Sequence, residues 1–537
     1  MTVTATISIS PIPSAAPIDQ MIYGHFLESA FFGNIEGGVF DEGSPLSIAD
    51  GPLRGCRADV LEACRELGLP VLRWPGGNFT SPYWWQDGIG PRDERPRRLE
   101  LAWGSEETNR FGTPEFLAWC EAVGTRPYLA HHARDVDDAV RWVEYTNYPG
   151  DTTLARQRAK DGHPEPYGVH FWGLGNEVYG PWQMGHRPVA EYVPAAREHA
   201  KFMNLVDPGL SFIAVGSTRD DWTEPVVAGL GDRIDYVSLH LYGASCHLTD
   251  PSPAEFDAVV AQSLYVEQAI QAQAETIRRV QAAHGRSRPL AIAMDEWNIR
   301  HVEPAAWPEP EPDADGGVAP RDTSASGEQL RVNRYSPRTL ADALYYAGVF
   351  HAMHRASQLD VPVGMANTVN LVNANGLLAV RPDGLVKAAT YHVWDLYQNH
   401  TGPVPLAATV QGPARTAALR LGDDRHAEGG FRTTPSVVGL LDVSPSRSED
   451  GRTLHLAVIN RSATEAVSAR LDLDGAALPA TATTRTIGAG VEDLFAWNSI
   501  AEPDAVTLSA PQQVDLTGST YTFPAHSITL LDVALAP

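Results

Sequence analysis

Cysteine is scarce in this chain: Cys56, Cys64, Cys120 and Cys246 are the only four among 537 residues. No two stand at zinc-ligand spacing, and a disulfide framework would be sparse at this length, which leaves reduced cysteines with structural roles. No apolar run approaches the roughly 20 residues that span a bilayer, so a membrane partner is not expected. The first 18 residues are rich in Thr, Ser and Pro and lack a basic start followed by an apolar stretch. No secretory signal is read there, and residence in the cytoplasm is expected. Positive charge is also short, with 41 Lys and Arg against 66 Asp and Glu, a formal net charge of −25. The acids are spread along the chain rather than gathered in a tail. Binding a phosphate backbone needs clustered Lys and Arg, so nucleic acid is excluded as a partner and an anionic polysaccharide is disfavoured.

What is present is an ordinary soluble composition, 43% apolar and 20% charged, in a chain too long for one compact core. Strand-like runs alternate with helical patterns from Met21 to about Gln398. The strand runs are Met21–Glu28, Val71–Trp74, Pro127–Ala130, Val169–Leu174, Phe212–Gly216, Tyr236–Tyr242, Leu290–Glu296 and Val363–Asn370. Between them, Arg57–Leu67 and Arg338–Arg355 carry apolar residues at three- and four-residue spacing. Eight strands, each followed by a helix, predict a (β/α)8 barrel. The competing open, doubly wound sheet lacks its glycine-rich dinucleotide turn after the first strand. Beyond about Thr401 the texture changes to short alternating segments, Thr453–Ile459, Val467–Leu473 and Ser527–Val533, which predict an all-β sandwich. Thr2–Ile9 alternates in the same way and is expected to pair with it. The division expected is therefore a barrel over residues 19–398 and a sandwich made of 1–18 and 399–537. The Pro-, Glu- and Gly-rich stretch Trp307–Ser326 reads either as a long loop on the active face or as a linker.

A barrel carries its chemistry where its strands end. The strand ends hold His25 and Glu28, then Arg73, Asn176 with Glu177, His240 with Tyr242, Asp295 with Glu296 and Trp297, and Asn367 with Asn370. A structural ring of loops would be mostly Gly, Pro, Asp and Ser. Carboxylates, amides, an Arg, a His and a Tyr suit a sugar pocket, where many hydroxyls need partners. A single Glu at a strand end is ordinarily a solvated turn residue. Two of them, Glu177 and Glu296, amid these partners are the equipment for cutting a glycosidic bond: one neutral acid to protonate the leaving oxygen, one ionised carboxylate to attack. Arg73 and Tyr242 are placed to hold the anion. His131-His132 raise the question of a metal, but adjacent strand residues point to opposite faces and are not expected to share one ion. Trp84 and Trp85 read equally as a sugar platform or as loop packing. Cys246 beside His247 shows no orienting third group for a nucleophile.

These residues fall in motifs that resemble the α-L-arabinofuranosidases of glycoside hydrolase family 51. The motifs are Tyr23-Gly24-His25-Phe26-Leu27-Glu28, Arg73-Trp74-Pro75-Gly76-Gly77-Asn78, Leu101-Ala102-Trp103, Gly175-Asn176-Glu177 through Gly180–His186, Ser238-Leu239-His240 and Asp295-Glu296-Trp297-Asn298. The resemblance implies a retaining, exo-acting glycosidase with Glu177 as acid/base and Glu296 as nucleophile, carboxyl groups roughly 5–5.5 Å apart. It places Glu28, Arg73, Asn78, Trp103, Asn176, His240 and Tyr242 around a furanose. Trp297 and Asn367 complete the expected pocket. It also implies no metal or organic cofactor, a glycan-derived furanoside substrate, and a homo-oligomer, a hexamer in many members. The chain departs from the family pattern at Ser29 (usually His), at Glu36 in a longer first loop, at His131-His132, and at Asn367 (usually Gln). These bear on which sugar is taken, so another furanoside or a β-xyloside stands as the alternative substrate. A non-catalytic sugar-binding barrel and a metal-dependent sugar isomerase are the readings from other classes.

Overall fold

The computed structural model describes residues 4–14, 16–29, 33–218, 221–247, 252–302, 332–333, 337–420, 433–476 and 478–535. The stretch Trp307–Ser326 lies outside them. Eight parallel strands close into a barrel: β1 (Gly24–Phe26), β2 (Val71–Trp74), β3 (Arg126–His131), β4 (Phe171–Leu174), β5 (Ser211–Ala214), β6 (Tyr236–His247), β7 (Ala291–Val302) and β8 (Val363–Thr368). Each pairs with its successor, and β8 closes the circle on β1. They answer, one for one, to the eight runs expected. Val71, Tyr128, Phe171, Ile213, Ala293 and Met365 form a core of their own inside the barrel. The barrel is thus plugged below, and the open end is where the strands' C-termini emerge.

Local sequence explains the helices that flank it. Ala58–Leu67 buries Val60, Leu61, Cys64 and Leu67 on one face and stops at Gly68, whose φ of +73° a side chain would resist. Leu340–Ala356 begins with a capping box, Thr339 and Asp342 each accepting the other's backbone N–H. The spacing predicts one apolar face there, but the helix is buried on nearly all sides. The reason is its position, wedged between the long helix Pro253–Ala283 and the C-terminal sheet.

That sheet has nine strands and encloses a separate core. The strand Ala5–Pro13 runs antiparallel to Val404–Gln411 and parallel to Val467–Asp472. The N-terminal residues therefore belong to the C-terminal sheet, as their alternation predicts. Polar bridges tie the sheet to the barrel: His354 links the Tyr23 hydroxyl and the Ser444 hydroxyl, both at 2.8 Å. Arg355 reaches Asp442 at 3.0 Å.

Candidate active site

The seventh strand departs from regular alternation where it matters. Ala293 faces Ser238 on β6, but Glu296 faces His240, so three steps on β7 match two on its neighbour. This bulge inserts one residue. Both Asp295 and Glu296 consequently turn inward. Arg73 on β2 sits between them, donating to Glu296 Oε1 at 2.8 Å and lying 3.7 Å from Asp295 Oδ2. Its other nitrogen donates to Asn176 Oδ1 at 2.6 Å. Tyr242 donates to Glu296 Oε2 at 2.6 Å, and Tyr128 to Asp295 Oδ2 at 2.8 Å. Burial alone would raise the Asp295 carboxyl, but Arg73 and His240 hold it below the usual carboxylate range. Gly77 leaves room for this arrangement: a Cβ there would stand 2.7 Å from Glu296 Oε1.

Glu177 follows β4 with a left-handed φ of +41°, a conformation that costs a non-glycine residue energy and recurs at functional sites. Trp182 donates to its Oε2 at 2.9 Å and Gln183 approaches the same oxygen at 3.5 Å. Tyr179 donates to Oε1 at 3.3 Å. His240 reaches that oxygen from Nδ1 at 2.9 Å, Glu296 Oε2 at 3.5 Å and Asp295 Oδ1 from Nε2 at 3.3 Å. Burial would lower the His240 pKa, but the charge of Glu296, aided by Asp295 and Glu177, outweighs it and pushes it up to about 10. His240 is then an imidazolium at neutral pH. One ligand-capable atom each from Glu177, His240 and Glu296 lies within 4.8 Å of the others. The nearest carboxylate oxygens of the two glutamates are thus within that distance.

The remaining expected residues divide. Glu28 is buried and accepts from Phe79 N at 2.9 Å and from Trp103 Nε1 at 3.0 Å. Asn78 accepts from Gln183, which joins it to Glu177. Asn176 Nδ2 is buried without a protein partner among the described residues and is available to a hydroxyl. Asn367 is fully buried, donates to His25 O at 2.8 Å, and stands one inward position above Met365. Trp297 is a correction. The bulge that turns Glu296 inward turns Trp297 outward, where it stacks on Trp394 at 5.6 Å and packs on Tyr346 and Phe350. It supports the barrel wall and does not line the pocket.

Ser29 is buried and accepts from Trp74 Nε1, whereas Glu36 is exposed and accepts from the Thr108 hydroxyl. His131 and His132 do converge, contrary to the alternation argument. The strand ends at His131 and the chain turns at Ala133, φ +52°. Both Nε2 atoms face Asp138 Oδ2, at 3.0 and 3.2 Å. Both Nδ1 atoms, however, accept backbone N–H groups of Ala133 and Arg134. The neutral rings must carry their protons on Nε2, so His131 donates to the carboxylate, His132 lies beside it without a hydrogen bond, and neither offers a cation a lone pair. Trp85 is buried and stacks on Trp142, which settles it as loop packing, while Trp84 is 40% exposed. Sequence reasoning assigned no role to Trp182, Gln183 or Tyr128; Trp182 folds back on Glu177 within one loop, whereas the Gln183–Asn78 and Tyr128–Asp295 contacts form only when distant segments meet.

Two family profiles match: "Alpha-L-arabinofuranosidase 1 domain" over residues 63–260 and "Alpha-L-arabinofuranosidase C-terminal domain" over 295–527. The second begins inside β7, so its limits are not those of the C-terminal sheet. Alpha-L-arabinofuranosidase C of Emericella nidulans is 35% identical across 98% of this chain and 96% of that protein. The "Intracellular exo-alpha-(1->5)-L-arabinofuranosidase" of Streptomyces lividans is 31% identical across 95% of this chain and 72% of its own. Among solved structures, the arabinose complex of the Thermotoga maritima α-L-arabinofuranosidase aligns with a TM-score of 0.82, 34% identity and coverage of 99% and 100% of the two chains. The thermostable family 51 enzyme of Thermotoga petrophila gives 0.83 and 33%, with the same coverage. With likeness of this extent in both sequence and fold, the chain belongs to the α-L-arabinofuranosidases of glycoside hydrolase family 51, and it is a glycoside hydrolase.

Proposed function

We propose that the chain removes terminal α-L-arabinofuranosyl residues from glycans by a retaining double displacement, with Glu296 as nucleophile and Glu177 as acid/base. One observation carries the reading: the two carboxylates approach within 4.8 Å. Oxygens this near favour the closer carboxyl spacing of retaining enzymes, roughly 5–5.5 Å, over the roughly 6.5–9.5 Å that admits a water in inverting ones.

The charges support the same cycle. The reaction requires Glu177 to enter it protonated; with Arg73 and His240 as cations and Asp295 and Glu296 as anions the cluster is then neutral in sum, and Glu296 and Asp295 hold the His240 charge. Glu177 gives its proton to the leaving oxygen as Glu296 attacks the anomeric carbon and becomes an uncharged ester. The negative charge has moved from Glu296 to Glu177, and the sum is unchanged. Glu177 then takes a proton from water, and the hydroxide displaces Glu296 with configuration restored. In a buried site, a sequence that never accumulates net charge avoids a large desolvation cost. Arg73 and Tyr242 hold the Glu296 carboxylate for attack. Glu28, Asn78, Trp103, Asn176 and His240 surround the furanose, with Asn367 deeper on β8. The barrel, residues 19–398, carries the reaction, and 1–18 with 399–537 form the supporting sheet domain.

Residence in the cytoplasm is in keeping with the Streptomyces lividans relative, which is named as intracellular. A homo-hexamer is the assembly the family resemblance suggests, and light scattering measures it.

Glu296→Ala is expected to abolish turnover of 4-nitrophenyl α-L-arabinofuranoside. Glu177→Ala is expected to spare the first step for a dinitrophenyl leaving group, which needs no acid, and to regain turnover with azide. NMR of the azide product should show the α-anomer, because azide displaces the β-linked Glu296 ester from the face the aglycone left. Surviving activity in Glu296→Ala, a β-azide from the Glu177→Ala rescue, or a β-configured first hydrolysis product from the wild type would reassign the mechanism.

A further inference from the structure

The turn His131-His132-Ala133-Arg134 ends β3, where the chain departs from the family pattern, and it touches the Glu177 segment at two points. Both imidazoles serve the backbone. His131 Nδ1 accepts the Ala133 N–H at 3.0 Å, and His132 Nδ1 accepts the Arg134 N–H at 2.9 Å. Two successive bonds from side chain to backbone, each spanning two residues, staple a tight turn, and Ala133 is held in it at φ +52°. Asp138, on the helix Val136–Asn147, anchors the staple by accepting from His131 at 3.0 Å. The turn sends Arg134 across the Trp84 ring at 4.8 Å, and His132 meets the same indole edge-on at 5.0 Å. Beyond the indole the Arg134 stem lies on Gly185, where a Cβ would stand 2.6 Å from Arg134 Cδ. The second point is Gly175, two residues before Glu177, where a Cβ would stand 3.5 Å from that of Ala133.

We propose that His132 and Arg134 are positioning residues for the acid/base: the staple sets the Arg134 stem against Gly185, and that contact fixes the loop from which the Glu177 carboxyl is aimed. The inference rests on the reading of Glu177 as acid/base, and it assigns this departure to proton transfer rather than to the choice of sugar. The loop is closed by its own backbone. The Gln183 N–H bonds Gly180 O, the His186 N–H bonds Gln183 O and the Arg187 N–H bonds Val178 O, each at 3.0 Å. A displacement at Gly185 therefore reaches Trp182 and Gln183, whose side chains meet Glu177 Oε2. Residues 175–188 contain no helix or strand, so packing from outside must supply the rigidity that an acid needs. Gly185 suits the contact: its φ of +82° would strain a residue with a side chain, and its bare backbone receives the Arg134 stem. Arg134 is kept there by packing on the indole face; its Nε and one Nη are buried and bond no protein atom among the described residues.

The test is kcat/KM along a series of aryl α-L-arabinofuranosides, from 2,4-dinitrophenol to phenol as leaving group. Dinitrophenolate departs unassisted, whereas phenolate needs the Glu177 proton. Arg134→Ala and His132→Phe should stay within about twofold of wild type on the first substrate and lose roughly tenfold on the second, because a catalytic group displaced from a distance costs up to about a hundredfold. Arg134→Lys keeps a stem and a charge over Trp84, and His132→Asn offers an Oδ1 to the Arg134 N–H, so both should return the phenyl rate to within about threefold of wild type. A loss that grows with leaving-group basicity and is reversed by the conservative variants is the expected result. Equal losses along the series, or none on the phenyl substrate, would overturn the proposal. If Arg134→Ala does not fold, the pair His132→Phe and His132→Asn decides the same question. Glu177→Ala, assayed beside them, should show the steepest dependence of all. A flat series in Glu177→Ala would overturn the reading of Glu177 and the inference with it, whereas a flat series in Arg134→Ala and His132→Phe alone would overturn only the inference.

Discussion

Glu177 is held at φ +41° while its carboxyl receives Trp182 and stands beside His240. A left-handed residue with a side chain costs of order 1 kcal/mol or more, and surrounding contacts must sustain it. On the proposed mechanism those contacts are the same ones that aim the carboxyl at the leaving oxygen, so backbone strain and the proposed catalytic position are one feature. The two can be separated by substitution. Glu177→Ala and Glu177→Gly both remove the carboxyl, but only glycine relieves the backbone. Glu177→Gly should therefore melt above Glu177→Ala by a margin worth about 1 kcal/mol, measured by calorimetry, with both equally poor on unactivated glycosides. An alanine variant as stable as the glycine one would show that the turn stores no strain.

At the level of strands and helices, the barrel was legible because parallel strands buried on both faces read as unbroken apolar runs that stop at polar residues. Glu177 and Glu296 were found by that stop. Two readings failed for one physical reason: alternation holds only while a strand stays regular. The β7 bulge reverses the inward and outward sense after Asp295 and sends Trp297 into the helical layer. The end of β3 at His131 lets two consecutive histidines face one carboxylate. Neither irregularity has a local sequence mark. In the C-terminal sheet, Thr453–Asn460 alternates visibly, whereas Leu441–Arg447 contains Pro445 and is hard to read as a strand, although it is one. The N-terminal strand was readable, and it makes a sharp prediction. Ala5–Pro13 has neighbours on both edges, with Ile7 fully buried and Ser8 on the other face. Ile7→Asp buries an unpaired charge in the centre of the sheet and should cost more than about 3 kcal/mol. Ser8→Asp should cost less than about 1 kcal/mol. Thermal melts of the two variants decide the register: similar losses would mean that the strand does not bury its odd-numbered face.

Across the whole molecule, histidine protonation sets how stability responds to pH. Burial holds His25 and His354 down to about 3, and His131, His199 and His392 down to about 4. An unfolded chain protonates these rings near their ordinary 6.5, so between 6.5 and 4 it binds more protons than the folded one. Stability therefore falls as pH falls through that window, by about 1.4 kcal/mol per pH unit for each proton. Paired carboxylates add to the acid limb at lower pH: Arg110 holds Glu42, Lys387 holds Glu66 and Arg197 with Arg286 holds Asp232 below the ordinary carboxylate range, and that stabilisation is lost as they protonate. His240 has the opposite sign. Its folded pKa is raised to about 10, so its contribution is complete below 6.5 and is lost as pH rises through 10. The melting temperature should peak near neutrality and decline on both sides. His25 isolates one share of the acid limb. It is fully buried against Trp394 at 4.7 Å, outside the pocket, and neither ring nitrogen has a partner among the described residues. His25→Leu removes two unsatisfied polar atoms, so it should raise stability at pH 7 by about 1 kcal/mol. It should also make the acid limb shallower by one proton while leaving the alkaline limb as it was. Denaturant unfolding at pH 7, 5.5 and 4.5 measures both effects. Parallel acid limbs in variant and parent would mean that the His25 ring takes up its proton in the folded state, and that the space beside Trp394 is wetter than its burial implies.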